Sequence, residues 1–133
     1  MTPDKLLYAK THEWVAVEAG PAGEKIATVG LSDFALKALT DLVFMQLPPV
    51  GRAVKAGEPF GEIESVKAVS DLYSPVDGEI VAANTEIVQN LPHLADDPYG
   101  DGWLVKIRVG DAAGLSRLMN NAAYQKQCEE EAH

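Results

Sequence analysis

Apolar positions along the chain fall in short runs separated by turn-forming residues, a pattern that predicts strands rather than long helices. Trp14-Val15-Ala16-Val17 and Lys25 to Val29 are β-prone, and Ala19-Gly20-Pro21-Ala22-Gly23 between them predicts a hairpin. Ser32 is placed to cap a short helix ending by Leu39, with Asp33 at its positive end and Phe34, Leu36 and Leu39 as apolar contacts. Leu42-Val43-Phe44-Met45 returns to strand and stops at Pro48-Pro49, and Gly51 and Gly57 mark turns. Phe60 to Val66 alternates imperfectly, and its short length and flanking turns identify it as a strand.

Val69 to Tyr73 and Glu79 to Ala83 are two further strands, with Ser74-Pro75-Val76-Asp77-Gly78 between them as a turn signal. Asn90 to Gly102 reads as a loop, rich in Pro and Gly. Trp103 to Val109 alternates cleanly as a last strand, with Trp103, Val105, Ile107 and Val109 on one face. Beyond Gly110, Asp111 is a candidate cap for a C-terminal helix whose core stripe is Leu115, Leu118, Met119 and Ala122. Glu129-Glu130-Glu131 reads as its solvated end. Many short strands with edge helices predict a mainly β fold, a small sandwich or barrel, in a single domain spanning 1–133.

Composition narrows the function. The chain has 133 residues, one domain's length, and 47% are hydrophobic, enough to fill a core. The 20 acidic residues outweigh 11 Lys and Arg for a net charge of -9, which phosphate backbones repel, so nucleic acid is not an expected partner. A lone cysteine, Cys128, excludes an internal disulfide and CxxC chemistry. No apolar run is long enough to span a bilayer, and Met1 to Lys10 has neither a signal-peptide core nor an Arg-rich amphipathic pattern. Ser70, Asp71 and His12 or His93 could be read as a hydrolase set, but no GxSxG elbow is present. His93, Asp96, Asp97 and Asp101 match no metal-loop spacing, so no metal is expected.

One position stands out. Glu64-Ser65-Val66-Lys67-Ala68-Val69 places a lysine where the chain reverses between two strands, so its side chain points into solvent from a rigid base. The run from Phe60 to Ile80, with its ESVKA core, Ser74-Pro75 and Gly78 before the returning strand, resembles the lipoyl-attachment segment of glycine cleavage H proteins. His12-Glu13-Trp14-Val15 is similar to their HEW signature. Val29 to Ala35, Asp41 to Phe44 with Leu47-Pro48, and Asp97-Pro98-Tyr99-Gly100-Asp101-Gly102-Trp103-Leu104 resemble further blocks in the family's order. The matches run from about Tyr8 to Tyr124.

The resemblance implies a barrel-sandwich hybrid, shared with lipoyl and biotinyl domains, with short peripheral helices including a C-terminal one. It implies a non-catalytic carrier in which a lipoate ligase or octanoyl/lipoyl transferase joins lipoate to Lys67 through an amide bond. Val66 and Ala68, where biotinyl domains carry methionines, favour lipoate. Glu64 and Gly78 hold the positions associated with recognition by the attaching enzyme, and Gly78 also suits the tight turn that Asp77-Gly78 predicts. The implied partners are the glycine decarboxylase (P protein), which loads an aminomethyl group on the arm, the aminomethyltransferase (T protein), which removes the one-carbon unit, and dihydrolipoamide dehydrogenase (L protein), which reoxidises the dithiol. The carrier supplies the same tethered sulfur to all three by effective concentration.

A shielded groove for the loaded arm is implied near the HEW segment and the hairpin, with Thr11, His12, Glu13 and Asp71 as its residues here. Glu13 is alternatively a solvated strand-end carboxylate, and His12 a packing residue beside Trp14. Phe34 stands where many relatives have His or Tyr, and Leu91 to Asp96 departs from the family's wording, as a variable loop would. A lipoyl carrier for sulfur-compound oxidation or lipoate relay, and a structural module never modified at Lys67, are the alternatives. Family members work in the bacterial cytoplasm or the mitochondrial matrix.

Overall fold

The structure is a computed structural model, and it describes residues 3–110 and 112–131. Among them are nine strands: β1 (Leu7–Tyr8), β2 (Glu13–Ala19), β3 (Lys25–Leu31), β4 (Leu42–Gln46), β5 (Ala53–Val54), β6 (Pro59–Ser65), β7 (Val69–Tyr73), β8 (Gly78–Ala83) and β9 (Val105–Val109). They pair antiparallel into a six-stranded sheet, β1-β2-β3-β9-β8-β5, and a three-stranded sheet, β4-β6-β7. The helices are α1 (Asp33–Leu39), α2 (Thr85–Val88), α3 (Leu91–Asp96) and α4 (Asn121–Glu131), with 3₁₀ turns at Pro3–Lys5 and Ala112–Arg117. No helix among the described residues is long and apolar enough to cross a membrane.

The main core joins both sheets. Val15, Ala27, Val29, Val105, Ile107 and Ile80 from the larger sheet pack with Met45, Phe60, Ile63 and Leu72 from the smaller. A second cluster of Leu6, Tyr8, Trp14, Tyr124 and Cys128 anchors α4 on the far side of the larger sheet. There the Trp14 indole lies across Gly30, where any Cβ would overlap the ring, and its Nε1 donates to the Pro98 carbonyl at 2.9 Å.

The predicted β2–β3 hairpin forms in register from Ala19↔Lys25 to Glu13↔Leu31. Ser32 caps α1, its Oγ accepting from the Ala35 amide. Other segments differ from the sequence reading. The expected loop 90–102 contains α3, with Pro92 in the first helical turn, where a missing N–H costs nothing. α2 was unforeseen; the Asn84 side chain caps it, and Ile87 and Leu94 bury these two short helices. The last strand starts only at Val105: the Trp103 amide still donates to Gly100 O at 3.2 Å in the preceding turn, and Leu104, buried as well, departs from the alternation.

The C-terminal stripe does not form one helix. Met119 exchanges backbone hydrogen bonds with Tyr8, which interrupts the helical path, and α4 begins only at Asn121 with Asn120 Oδ1 accepting from the Ala123 amide. Its buried residues are Tyr124 and Cys128, while Ala122 is exposed. Asp111, the expected cap, lies outside the described residues.

The Ser74–Asp77 segment, read as a turn, bends the chain from the smaller sheet into the larger one. The Asp77 side chain accepts from the Ala56 amide at 2.7 Å and its carbonyl from Gly110 at 2.9 Å. Gly78 is the first residue of β8, outside the left-handed region. Glycine is required there by close approach rather than by a turn: a Cβ would strike the Arg108 carbonyl oxygen and sit 2.7 Å from Ile107 Cγ2.

Candidate functional site

Lys67 is exposed at the tip of the β6–β7 hairpin. The tip is held by one side chain. Ser65 N donates to Ala68 O at 2.8 Å, and Ser65 Oγ accepts from the amides of Ala68 (3.1 Å) and Lys67 (3.3 Å). A third tie reaches outward, from the Val66 amide to Asp41 O at 2.9 Å. The backbone under Lys67 is thus fixed on both sides, while none of the ion pairs found among the described residues takes its ammonium group. An exposed amine on a rigid base suits a tethered group that must swing from a fixed anchor. Sequence reasoning missed Ser65; a hydroxyl two residues before the lysine, at a chain reversal, is the signal that would have found it.

Glu64 sits one pair below the tip, opposite Val69 on one side and Phe44 on the other. Gly78 is on the other sheet, in the packed contact just described.

Of the four groove residues, Thr11 and Glu13 are brought together. The Thr11 hydroxyl donates to Glu13 Oε1, and Glu13 Oε2 accepts from the Tyr73 amide at 3.0 Å. Glu13 is no solvated strand-end carboxylate: it is 0% exposed. Burial, opposed by those hydrogen bonds, pushes its carboxyl up to about 7. It links the start of β2 to the end of β7, the strand that descends from Lys67.

Asp71 is exposed on β7 and lines a cleft of about 340 Å³ with Gln46, Pro48, Arg52 and Glu62. Thr11 lines a different cleft of about 440 Å³ with Lys10, Tyr73, Pro75 and Arg117. The two residues therefore stand on separate concavities, with Glu13 closed off from water.

His12 turns the other way. Its Nδ1 lies 2.7 Å from Tyr124 Oη and its Nε2 3.1 Å from Glu131 Oε1, and its ring stacks on Phe34 with centroids 5.3 Å apart. Tyr124 Oη also meets Ser32 Oγ at 2.5 Å. These contacts hold His12 at φ 81, a conformation unfavourable for most residues. His12 is a packing residue that fastens α4, and Phe34 supplies the stacking face. Glu131, exposed like the rest of the acidic end, also accepts from Gln127 at 2.7 Å.

Three of the four acidic-loop candidates converge, with ligand-type atoms of His93, Asp97 and Asp101 all within 4.8 Å of one another. Their groups hold the turn: His93 Nε2 lies 3.0 Å from Asp101 Oδ2, and Asp97 Oδ2 accepts from the Asp101 amide at 2.9 Å. The hydrogen bond to Asp101 raises the imidazole's proton affinity.

The chain matches the family described as Glycine cleavage H-protein over residues 6–131. The chain belongs to that family. It is 54% identical over 129 residues to the glycine cleavage system H protein of Rhodopirellula baltica, covering 96% of both chains. It is 48% identical to that of Rippkaea orientalis, over 96% of this chain and 93% of the relative. The crystal structure of a glycine cleavage system H protein from Mycobacterium marinum superposes with a TM-score of 0.81 at 40% identity, covering 95% of this chain and 98% of that one. As a glycine cleavage H-protein the chain is mainly β with short helices and a C-terminal helix, in the barrel-sandwich arrangement the motifs implied. It is a lipoyl carrier subunit of the glycine cleavage system, working with that system's other components, and not a catalyst.

Proposed function

We propose that Lys67 is the residue to which lipoate is attached, in one carrier domain spanning 1–133, and that the partners are the P, T and L proteins together with a lipoate ligase or octanoyl/lipoyl transferase. The observation that carries this reading is the exposed lysine on a hairpin whose tip Ser65 immobilises. The residues present fit an amide-linked arm. Nζ projects into solvent and, as the free amine, can attack the carbonyl of an activated acyl donor such as an acyl-adenylate or acyl thioester. The C–N bond forms, the bond to the leaving phosphate or thiol breaks, and the nitrogen gives up its proton.

Once attached, the lipoyl group supplies a disulfide–dithiol pair able to carry a one-carbon unit bearing nitrogen. The chain's own residues anchor and shelter that arm. β6 and β7 fix where it starts; Thr11 and Asp71 offer oxygen acceptors for a cationic nitrogen at the rims of the two clefts. Glu13, behind Thr11, becomes available to such a group only when the Thr11 hydrogen bond opens. Glu64 and Gly78 are proposed as recognition positions, Glu64 beside the hairpin tip and Gly78 at its close contact with β9 in the larger sheet. The bacterial sources of the relatives support the bacterial cytoplasm over the mitochondrial matrix.

Intact-mass measurement of the chain produced with lipoate and a lipoate ligase tests the assignment. One lipoyl increment is expected, mapped by peptide fragmentation to Lys67 and lost in Lys67→Arg. No increment, or one on another lysine, refutes it.

A further inference from the structure

The run Leu42-Val43-Phe44-Met45 puts four apolar residues in succession on β4, where a regular strand would turn alternate ones inward. The pairing with β6 instead slips: Leu42 stands opposite Ser65 and Phe44 opposite Glu64, leaving Val43 as an extra residue. A bulge of this kind re-aims side chains, and here both Val43 (57%) and Phe44 (44%) are exposed while Met45 is buried. Phe44 shares a cross-strand row with Glu64 and Val69, and Val69 is 63% exposed. Val66, tied to Asp41 beside β4, is 74% exposed.

Among the described residues seven large apolar side chains are exposed, and these four gather at the end of the sheet that bears Lys67. Phe44 also forms the lip of an apolar groove of about 460 Å³ that continues along Leu47, Pro48, Ala83 and Val88. Carboxylates of Asp41, Glu62, Glu64 and Asp71 border the face. A clustered apolar face of this kind on a chain of net charge -9 marks a contact surface.

Resting on the reading of Lys67 as the acylated residue, we infer that this face is the docking surface for the enzyme that acylates it, through an apolar seat with a basic rim. Reach selects this occupant. Before acylation the reacting nitrogen is only one lysine side chain from the hairpin backbone, so an enzyme that brings an activated carbonyl to Nζ must cover the residues around the tip. After acylation the longer arm lets later partners meet its sulfur atoms at a distance from that backbone. The β4 bulge therefore serves a strand remote in sequence from Lys67, presenting Val43 and Phe44 to the enzyme alongside Glu64.

The test is steady-state lipoylation of the purified unmodified chain by a lipoate ligase with ATP and lipoate. In V43S/F44S, KM for the chain rises about tenfold at unchanged kcat, the effect expected from losing one buried aromatic anchor. V66S/V69S behaves alike, F44L retains most of the affinity, and V17S/V81S, exposed apolar positions on the other sheet, leaves KM unchanged. Urea midpoints within error of the parent show that each variant is folded. Unchanged KM in V43S/F44S, or an equal rise in V17S/V81S, overturns the docking surface while leaving the carrier assignment intact. Failure of the parent chain to gain lipoate on Lys67 overturns the assignment of Lys67 as the attachment residue.

Discussion

Glu13 shows how a single residue can be close to the site without being open to it. Its carboxyl ordinarily titrates at 4.5 and is held at about 7 by burial, so the folded chain binds this proton more tightly than the unfolded one. The associated stability is fully present below pH 4.5 and is lost as pH rises through 7, by about 3 kcal/mol from the size of the shift. Glu13→Gln keeps an acceptor for the Tyr73 amide and cannot ionise. Urea unfolding at pH 5 and pH 8 will show the parent losing more stability than the variant over that interval, with the variant the more stable of the two at pH 8. Equal losses would mean that Glu13 ionises without cost. The motif reading placed Glu13 beside the hairpin, but its burial depends on the Tyr73 amide, sixty positions away, which no local pattern announces.

At the scale of elements, the Lys67 hairpin was the most legible part of the chain. Short strands, a reversal at Lys67 and the ESVKA core are all local, and the structure keeps them nearly residue for residue. The segment after it carries only a turn signal, and Asp-Gly does not say whether the next strand returns to the same sheet or crosses to the other, as it does here. Gly78 tests the difference. With its neighbour a backbone carbonyl of β9 rather than a yielding side chain, Gly78→Ala overpacks the β8–β9 contact and lowers stability by about 1–3 kcal/mol. The urea midpoint falls accordingly. A midpoint equal to the parent's, with lipoylation lost, would assign Gly78 to recognition alone. The bulge in β4 was hidden for a related reason: four apolar residues in a row look like a buried strand, and only the pairing with β6 shows two of them facing water.

Across the whole molecule, α4 returns to the N-terminal segment through Tyr124, whose ring stacks on Tyr8 with centroids 4.2 Å apart and whose hydroxyl meets both Ser32 and His12. Tyr124→Phe keeps the stacking and removes the hydroxyl, leaving buried Ser32 Oγ with one partner fewer. A loss of about 1–3 kcal/mol in thermal or urea unfolding is expected, with lipoylation of Lys67 unaffected because α4 packs on the larger sheet. Impaired lipoylation in a folded variant would instead tie α4 to the attachment site. The sequence by itself determined the alternating strands, the Ser32 cap, the acidic surface and the lysine at the reversal, since each rests on neighbours within a few positions. Tertiary structure alone decided that Glu13 is buried, that Thr11 and Asp71 line separate clefts, that His12 fastens the C-terminal helix, and that the β4 bulge turns Val43 and Phe44 outward beside Lys67. Those outcomes depend on which strands pair and which faces meet, and pairing between distant segments leaves no periodic trace in either one.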